Sequence, residues 1–270
     1  MLKRILTAVI LIPVFILLIF NLSPKAFCLF TAVIVLWAAW EWSFLMGIKQ
    51  LKYSFIYPVI LLFLLLGSMW LYIPGIIIAA FIWWLFASLL VIFYPKLSQA
   101  WSKSIIIRGL MGLMALIPCW LAINFIRNVP GSGIYILLFL FVLIWGADSG
   151  AYFAGKLWGK TKLAPEVSPG KTWQGLWGAL AVTLIISIVA LYWVQAPYRL
   201  WFFACMVTVI TVLFSVVGDL FESMLKRNEG LKDSGRLFPG HGGMLDRIDS
   251  LTAAAPVFLF GTDLMQKIFS

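Results

Sequence analysis

The stretch LWFFACMVTVITVLFSVVGDL, residues Leu200 to Leu220, decides the fold, because nothing in it is charged until Asp219. A helix of ~20 apolar residues crosses the ~30 Å hydrocarbon layer of a bilayer, so the stretch reads as a membrane span with a carboxylate at its end. Composition agrees: of 270 residues, 63% are hydrophobic and 11% charged, too little polar surface to coat a water-soluble body of this size. On the same rule the sequence predicts nine spans. They run roughly from Ile5 to Asn21, Ala26 to Met46, Tyr53 to Leu71, Gly75 to Tyr94, Gly109 to Phe125, Gly133 to Ala147, Thr172 to Val194, Leu200 to Leu220 and Ser250 to Phe269. Proline or glycine punctuates the gaps, as at Ser23-Pro24, Pro74-Gly75, Pro130-Gly131 and Ala196-Pro197. The expected fold class is all-α, a polytopic integral membrane helix bundle.

Three spans carry an alternative. Met1-Leu2-Lys3-Arg4 followed by an apolar run mimics a signal peptide, but the run ends in Asn21-Leu22-Ser23-Pro24 without a small-x-small cleavage site, so it is expected to be retained as the first span. Pro74-Gly75 leaves a tight turn between the third and fourth spans, either of which could be re-entrant.

Nine spans put the termini on opposite sides. Sixteen of the twenty Lys and Arg then fall on the side of the N-terminus, against Lys25, Arg127, Arg199 and Lys267 on the other. Such an asymmetry places the N-terminus and the long polar loops in the cytoplasm and predicts a multi-pass protein of the cell membrane. The excess of twenty basic over ten acidic residues suits anionic lipid headgroups, nucleotides or nucleic acid, and the apolar content argues against nucleic acid. Cys28, Cys119 and Cys205 lie in apolar stretches without CxxC or Cys/His spacing, which speaks for small buried hydrophobes and against disulfides or zinc.

The acidic residues divide the chain. Glu41 stands alone early, while Asp148, Glu166, Asp219, Glu222, Glu229, Asp233, Asp246 and Asp249 cluster beside the expected cytoplasmic span ends. Residues 1–108 are therefore read as packing and subunit contact, and residues 109–270 as the catalytic region, with cytoplasmic loops at 148–171 and 221–249. If the eighth span continues as a helix, Asp219, Glu222, Ser223, Lys226 and Arg227 share one face, with carboxylates toward the membrane and cations beyond. That face suits metal and phosphate together, or else local ion pairs at a solvated helix end. A carboxylate at the edge of a span, such as Asp219, costs ~2.5 kcal/mol or more unless paired or metal-bound.

Next comes KDSGRLFPGHGGMLDRID, from Lys232 to Asp249. Gly240, Gly242 and Gly243 around His241 let backbone N–H groups approach an anion, and Asp246 and Asp249 open the last helix, where phosphate is favoured. An ordinary turn with Asp249 as N-cap explains part of the same pattern.

The run from Ser223 to Asp249, read as Ser-x-Leu-Lys-Arg, four residues, Lys-Asp-x-Gly, two residues, Phe-Pro-x-His-Gly-Gly-Met-x-Asp-Arg-Ile-Asp, resembles the signature of the phosphatidate cytidylyltransferases, or CDP-diacylglycerol synthases, without departure across its 27 positions. Asp148 to Gly155 and Ser168 to Trp173 resemble that family's middle region, so the likeness runs from about Trp145 to the C-terminus. Gly170-Lys171-Thr172 also looks like the end of a Walker A loop. Pro165 stands where that motif needs glycine, however, and no buried strand precedes it, which excludes a P-loop ATPase.

The resemblance implies that CTP and phosphatidic acid react to give CDP-diacylglycerol and pyrophosphate, by in-line attack of a lipid phosphate oxygen on the α-phosphorus. Two polyanions must meet, so the site needs cations more than acid–base groups. Mg2+ is the expected cofactor, and a second cation beside it would clamp attacking and leaving oxygens. Asp219 and Asp246 are assigned to the metal, with Asp148, Glu222 and Asp249 as second choices. Lys171, Lys226, Arg227 and Arg247 are assigned to phosphates, and Ser223, Lys232, His241, Gly242 and Gly243 to substrate contact. The phosphomonoester is already ionised near neutral pH and needs no general base, so His241 is expected to be structural or phosphate-contacting. Glu41, between Trp40 and Trp42, is a functional candidate by position, or a carboxyl protonated or hydrogen-bonded inside the bundle. Ala38, Ala39, Gly109 and Gly112 allow close helix contact and suggest a homodimer.

Other assignments compete with this one. A CTP-dependent transferase for another membrane lipid would share the whole pattern. A secondary transporter would place its binding groups at broken helices near the midplane, whereas here the acids gather at one surface. A noncatalytic scaffold leaves the Lys/Asp/Gly cluster unexplained.

Overall fold

A computed structural model of the chain describes residues 13–70, 73–237 and 242–269. Ten helices and one hairpin follow in order: α1 (Pro24–Leu45), α2 (Leu51–Ser54), α3 (Ile56–Ser68), α4 (Ile73–Ile92), α5 (Ser98–Trp101), α6 (Ile105–Arg127), α7 (Gly133–Trp158), β1 (Lys162–Ala164), β2 (Ser168–Thr172), α8 (Trp173–Trp193), α9 (Tyr198–Asn228) and α10 (Leu245–Phe269). Residues 13–21 are also helical, and the remainder of the first expected span lies outside the described residues. Among the described residues eight helices are long and apolar enough to cross a membrane, matching the second to ninth expected spans. The third and fourth are full-length candidates, Leu51–Ser68 (α2 and α3 together) and Pro74–Ile92. Helix is the form such sequences must take in lipid, because each backbone N–H and C=O is paired within its own segment.

Local chemistry sets several helix starts. Ser23 Oγ accepts from Ala26 N at 3.3 Å with Pro24 just inside α1, Ser104 Oγ accepts from Ile107 N at 3.2 Å, and Thr172 Oγ1 accepts from Gly175 N at 3.1 Å. Large apolar side chains such as Phe63, Ile106, Tyr192 and Phe202 stay exposed, the surface a bilayer would cover. Two apolar cores lie inside. One joins Trp42, Leu61, Trp84, Leu116 and Phe221, and the other joins Phe27, Ile123, Leu137, Val207 and Phe258. Both draw on residues before and after position 108, so the two halves of the chain share their cores. The small residues that suggested a dimer are used within this interior: Ala38 and Ala39 are fully buried, and Gly112 makes room for Trp42 and Tyr57. Those two reach the carbonyls of Arg108 and Gly109 at 2.9 and 2.7 Å.

Several boundaries differ from the sequence expectation, two of them beside the site. Residues 148–158, expected as loop, form about three further turns of α7. The last helix begins at Leu245, five residues before the expected Ser250. Hydropathy marks the apolar run, while the helix continues wherever its polar turns find partners. The same rule carries α9 through Asn228, as the shared polar face required.

The hairpin is antiparallel, with Lys162 opposite Thr172 and Ala164 opposite Ser168. Gln174 Oε1 secures its entrance by accepting from Lys160 N at 3.1 Å and Thr161 N at 3.3 Å. Gly170-Lys171-Thr172 is therefore strand and helix entrance, with no phosphate loop of the Walker type. The hairpin, the end of α9 and the start of α10 meet at one end of the bundle. At the other end Arg127 donates to Ile19 O at 3.1 Å and to Leu22 O, and lies over the Phe27 ring.

Candidate active site

At the hairpin end a cavity of about 410 Å³ opens between α7, β2, α8 and α9, lined by Asp148, Tyr152, Lys156, Lys171, Asp219 and Ser250 among others. Asp148 and Lys156 reach it because α7 runs past its apolar part, two turns apart on one face. Lys171 reaches it from β2, one residue before the cap of α8. Across the cavity Lys171 Nζ lies 2.7 Å from Asp219 Oδ2, with a quarter to a third of each side chain exposed. Ser223 Oγ donates to Asp219 Oδ1 at 3.3 Å, one turn along α9. Asp148 interacts electrostatically with Asp219, Lys171 and Arg247. Two lysines and two aspartates thus share one partly exposed wall.

A second cluster is dry. Lys226 Nζ lies 3.0 Å from Glu222 Oε1 and 2.7 Å from Asp246 Oδ1, and the three side chains are 2 to 9% exposed. Asp246 Oδ2 accepts from Ser234 N at 2.9 Å, Ser234 Oγ at 2.9 Å and Gly243 N at 2.7 Å. Reaching back to Gly243 N, Asp246 works in the manner of a capping box, so the capping account holds for it. Asp249 lies inside the second turn of α10 and is no N-cap; its Oδ1 accepts from Ser250 N at 2.7 Å, and it interacts electrostatically with Asp219 and Glu222. Beyond the contact of Oε1 with Lys226, the buried Glu222 carboxyl has no hydrogen-bond partner among the described residues.

The remaining candidates scatter. Arg227 Nε donates to Val167 O at 3.2 Å and Nη1 to Leu231 O at 3.0 Å, which staples the hairpin to the following loop. Lys232 and Arg247 are exposed at the same end of the bundle. Gly242 has φ +79°, a conformation that favours glycine, and His241 lies outside the described residues.

Sequence reasoning missed what residues before 109 do here. Glu41, fully buried in α1, accepts from Ser234 Oγ at 3.0 Å, Met244 N at 2.9 Å, Leu245 N at 2.8 Å and Trp37 Nε1 at 3.2 Å. Arg108 pairs with Glu229 at the end of α9 and donates to Leu45 O at 3.1 Å. The signal was present in the sequence, since a carboxylate inside a span must find donors, but its partners were not.

Among the described residues no three carboxylates converge closely enough to cage a metal ion. The donor set suits instead a hard cation that takes one or two carboxylates and completes its shell with substrate phosphate and water. Asp219 is the carboxylate best presented for this, with Asp148 and Asp249 in electrostatic reach.

The profile of the family described as "Cytidylyltransferase family" matches residues 2–264. The chain is 39% identical to the phosphatidate cytidylyltransferase of Haemophilus influenzae, over 96% of this chain and 97% of that one. It is 42% identical to the phosphatidate cytidylyltransferase of Pseudomonas aeruginosa, over 95% and 94% of the two chains. A similarly named protein of Staphylococcus haemolyticus is 45% identical over about half of each chain.

Proposed function

The chain belongs to the cytidylyltransferase family, and from that membership we infer that the cavity between α7, α8 and α9 is where CTP and phosphatidic acid react to give CDP-diacylglycerol and pyrophosphate. One observation carries the reading: Lys171 and Asp219 meet in the wall of a cavity at one end of the spans, within reach of a soluble nucleotide and of a lipid headgroup.

An oxygen of the lipid phosphate attacks the α-phosphorus of CTP, forming one P–O bond, while the bond to the β-phosphate bridge breaks and its electrons leave with pyrophosphate. Lys171 and Arg247 hold phosphate oxygens by charge, and Lys171 exchanges its contact with Asp219 for the triphosphate. Asp219, with Asp148 as the other carboxylate of the cavity wall, would hold a magnesium ion, which when bound supplies positive charge against the transferring phosphates. Asp246 could join only by releasing Lys226, Ser234 or Gly243, so its first role is to shape the start of α10. No side chain is needed to deprotonate the attacking group.

Purified protein in detergent with radiolabelled CTP and phosphatidic acid will convert label to lipid, and will do so only when magnesium is supplied. Label that enters a polyprenol phosphate in preference to phosphatidic acid would redirect the acceptor. No lipid label with either acceptor would discard the reading.

The hairpin end faces the cytoplasm in this reading, in a cell membrane, where CTP is available. With Cys28, Cys119 and Cys205 replaced by alanine, a cysteine introduced as Lys232→Cys, on an exposed loop position, will react with a membrane-impermeant maleimide in inside-out vesicles and stay protected in right-side-out ones. The reverse labelling pattern would overturn both the orientation and the site's access to CTP.

A further inference from the structure

We propose that Glu41 is a positioning residue for the transfer, holding Ser234, Met244 and the first turn of α10 so that Asp246 and its neighbours keep their place beside the cavity. The inference rests on the cavity being the reaction site.

Glu41 comes from a different helix about 200 residues upstream, yet it serves the start of α10 as a cap. The first N–H groups of a helix have no partner within it, and Met244 N and Leu245 N find theirs in Glu41 Oε1 and Oε2 at 2.9 and 2.8 Å. Ser234 Oγ and Trp37 Nε1 occupy the remaining acceptor positions, so four donors surround one fully buried carboxyl group. Ser234 Oγ lies 2.9 Å from Asp246 Oδ2 and 3.0 Å from Glu41 Oε2, so its single proton is donated to one of the two acids at a time and links them by exchange. The approach is close enough to dictate glycine on both sides: a Cβ built at Gly235 or at Gly243 would overlap the Glu41 carboxyl. These glycines therefore serve this contact, whatever they also do for phosphate.

The surroundings of Glu41 favour positioning over chemistry. Glu41 is absent from the cavity lining and 0% exposed, so it cannot touch substrate in this arrangement. It acts through Ser234, Met244 and Leu245, the last of which adjoins Asp246.

Glu41→Gln is the discriminating substitution. It keeps size and one acceptor oxygen, but whichever way the amide turns, an NH2 meets a backbone N–H of residue 244 or 245. In the full-length protein in detergent, the variant will keep its thermal midpoint within about 3 °C. Its kcat will fall about tenfold to a hundredfold. Deuterium exchange in peptides covering residues 242–250 will accelerate by a similar factor, while peptides of α6 and α7 exchange as before. Ser234→Ala, which breaks the bridge alone, will move kcat and exchange the same way by about three- to tenfold, and decides the matter if Glu41→Gln cannot be purified. Normal kcat with accelerated local exchange would overturn the positioning role while leaving the reaction intact. Loss of kcat with exchange accelerated throughout the bundle would reduce Glu41 to general stability and overturn it too. If the unsubstituted protein transfers no cytidylyl group to lipid, the reaction itself is wrong and the proposal falls with it, whatever the exchange shows of the loop.

Discussion

Asp219→Asn will lower magnesium-dependent turnover about a thousandfold or more while leaving the protein folded. Asp219 sits well inside α9, so it caps nothing, and its stabilising contacts are modest: an ion pair with Lys171 at 2.7 Å and a hydrogen bond from Ser223 Oγ at 3.3 Å. Asparagine keeps the size and the acceptor for Ser223. Lys171, a quarter exposed, can be hydrated when its partner is lost, and a partly exposed pair of this kind is worth about 1 kcal/mol or less. Charge is thus the one property removed that matters, and charge is what a metal or a cationic phosphate clamp requires. The measurement is turnover of the purified variant across magnesium concentrations, beside its thermal midpoint. Turnover within a few fold of normal would remove Asp219 from the chemistry.

Lys226→Met will act differently, through folding as well as activity. Its ammonium stands between Glu222 and Asp246, all three nearly dry, and the methionine keeps the length while leaving two carboxylates without their cation. Breaking a buried pair from one side costs about 3–5 kcal/mol, because the surviving charge cannot be resolvated. The thermal midpoint in detergent will drop by on the order of 10 °C, and activity will be lost with it. Adding Glu222→Gln to Lys226→Met removes one stranded charge and will recover part of the midpoint but little activity, because Asp246 still lacks its partner. An unchanged midpoint in Lys226→Met would mean that the cluster is hydrated and that Lys226 is free to serve phosphate, as its sequence position alone suggested.

The same cluster shows where local reading stops. The polar face of α9 was legible, since residues at i, i+3, i+4 and i+7 share a side on any helix. From that spacing Lys226 and Arg227 looked equally fit for phosphate. Packing separates them: Lys226 turns inward to Glu222 and Asp246, while Arg227 spends two of its donors on the carbonyls of Val167 and Leu231. Lys171 alone among the expected phosphate ligands holds a side chain in the cavity wall, and the cavity adds Lys156 and Tyr152, which spacing had not singled out.

By itself the sequence determined the class of the molecule, the places of its long helices and the family to which it belongs. Those properties are local: an apolar run of span length must become a helix in lipid, and a 27-residue signature is read residue by residue. Tertiary structure alone decided which acid meets which cation, and that residues before 109, read as packing, supply Glu41 and Arg108 to the site's far loop and helix end. Gly243 illustrates the division. Its smallness was visible and suggested room for a phosphate, but what fills the space is the carboxyl of Glu41, about 200 residues away in sequence. Hydropathy and spacing carry no record of which helices lie side by side, and a buried carboxyl takes its partners from whichever neighbours the packing brings.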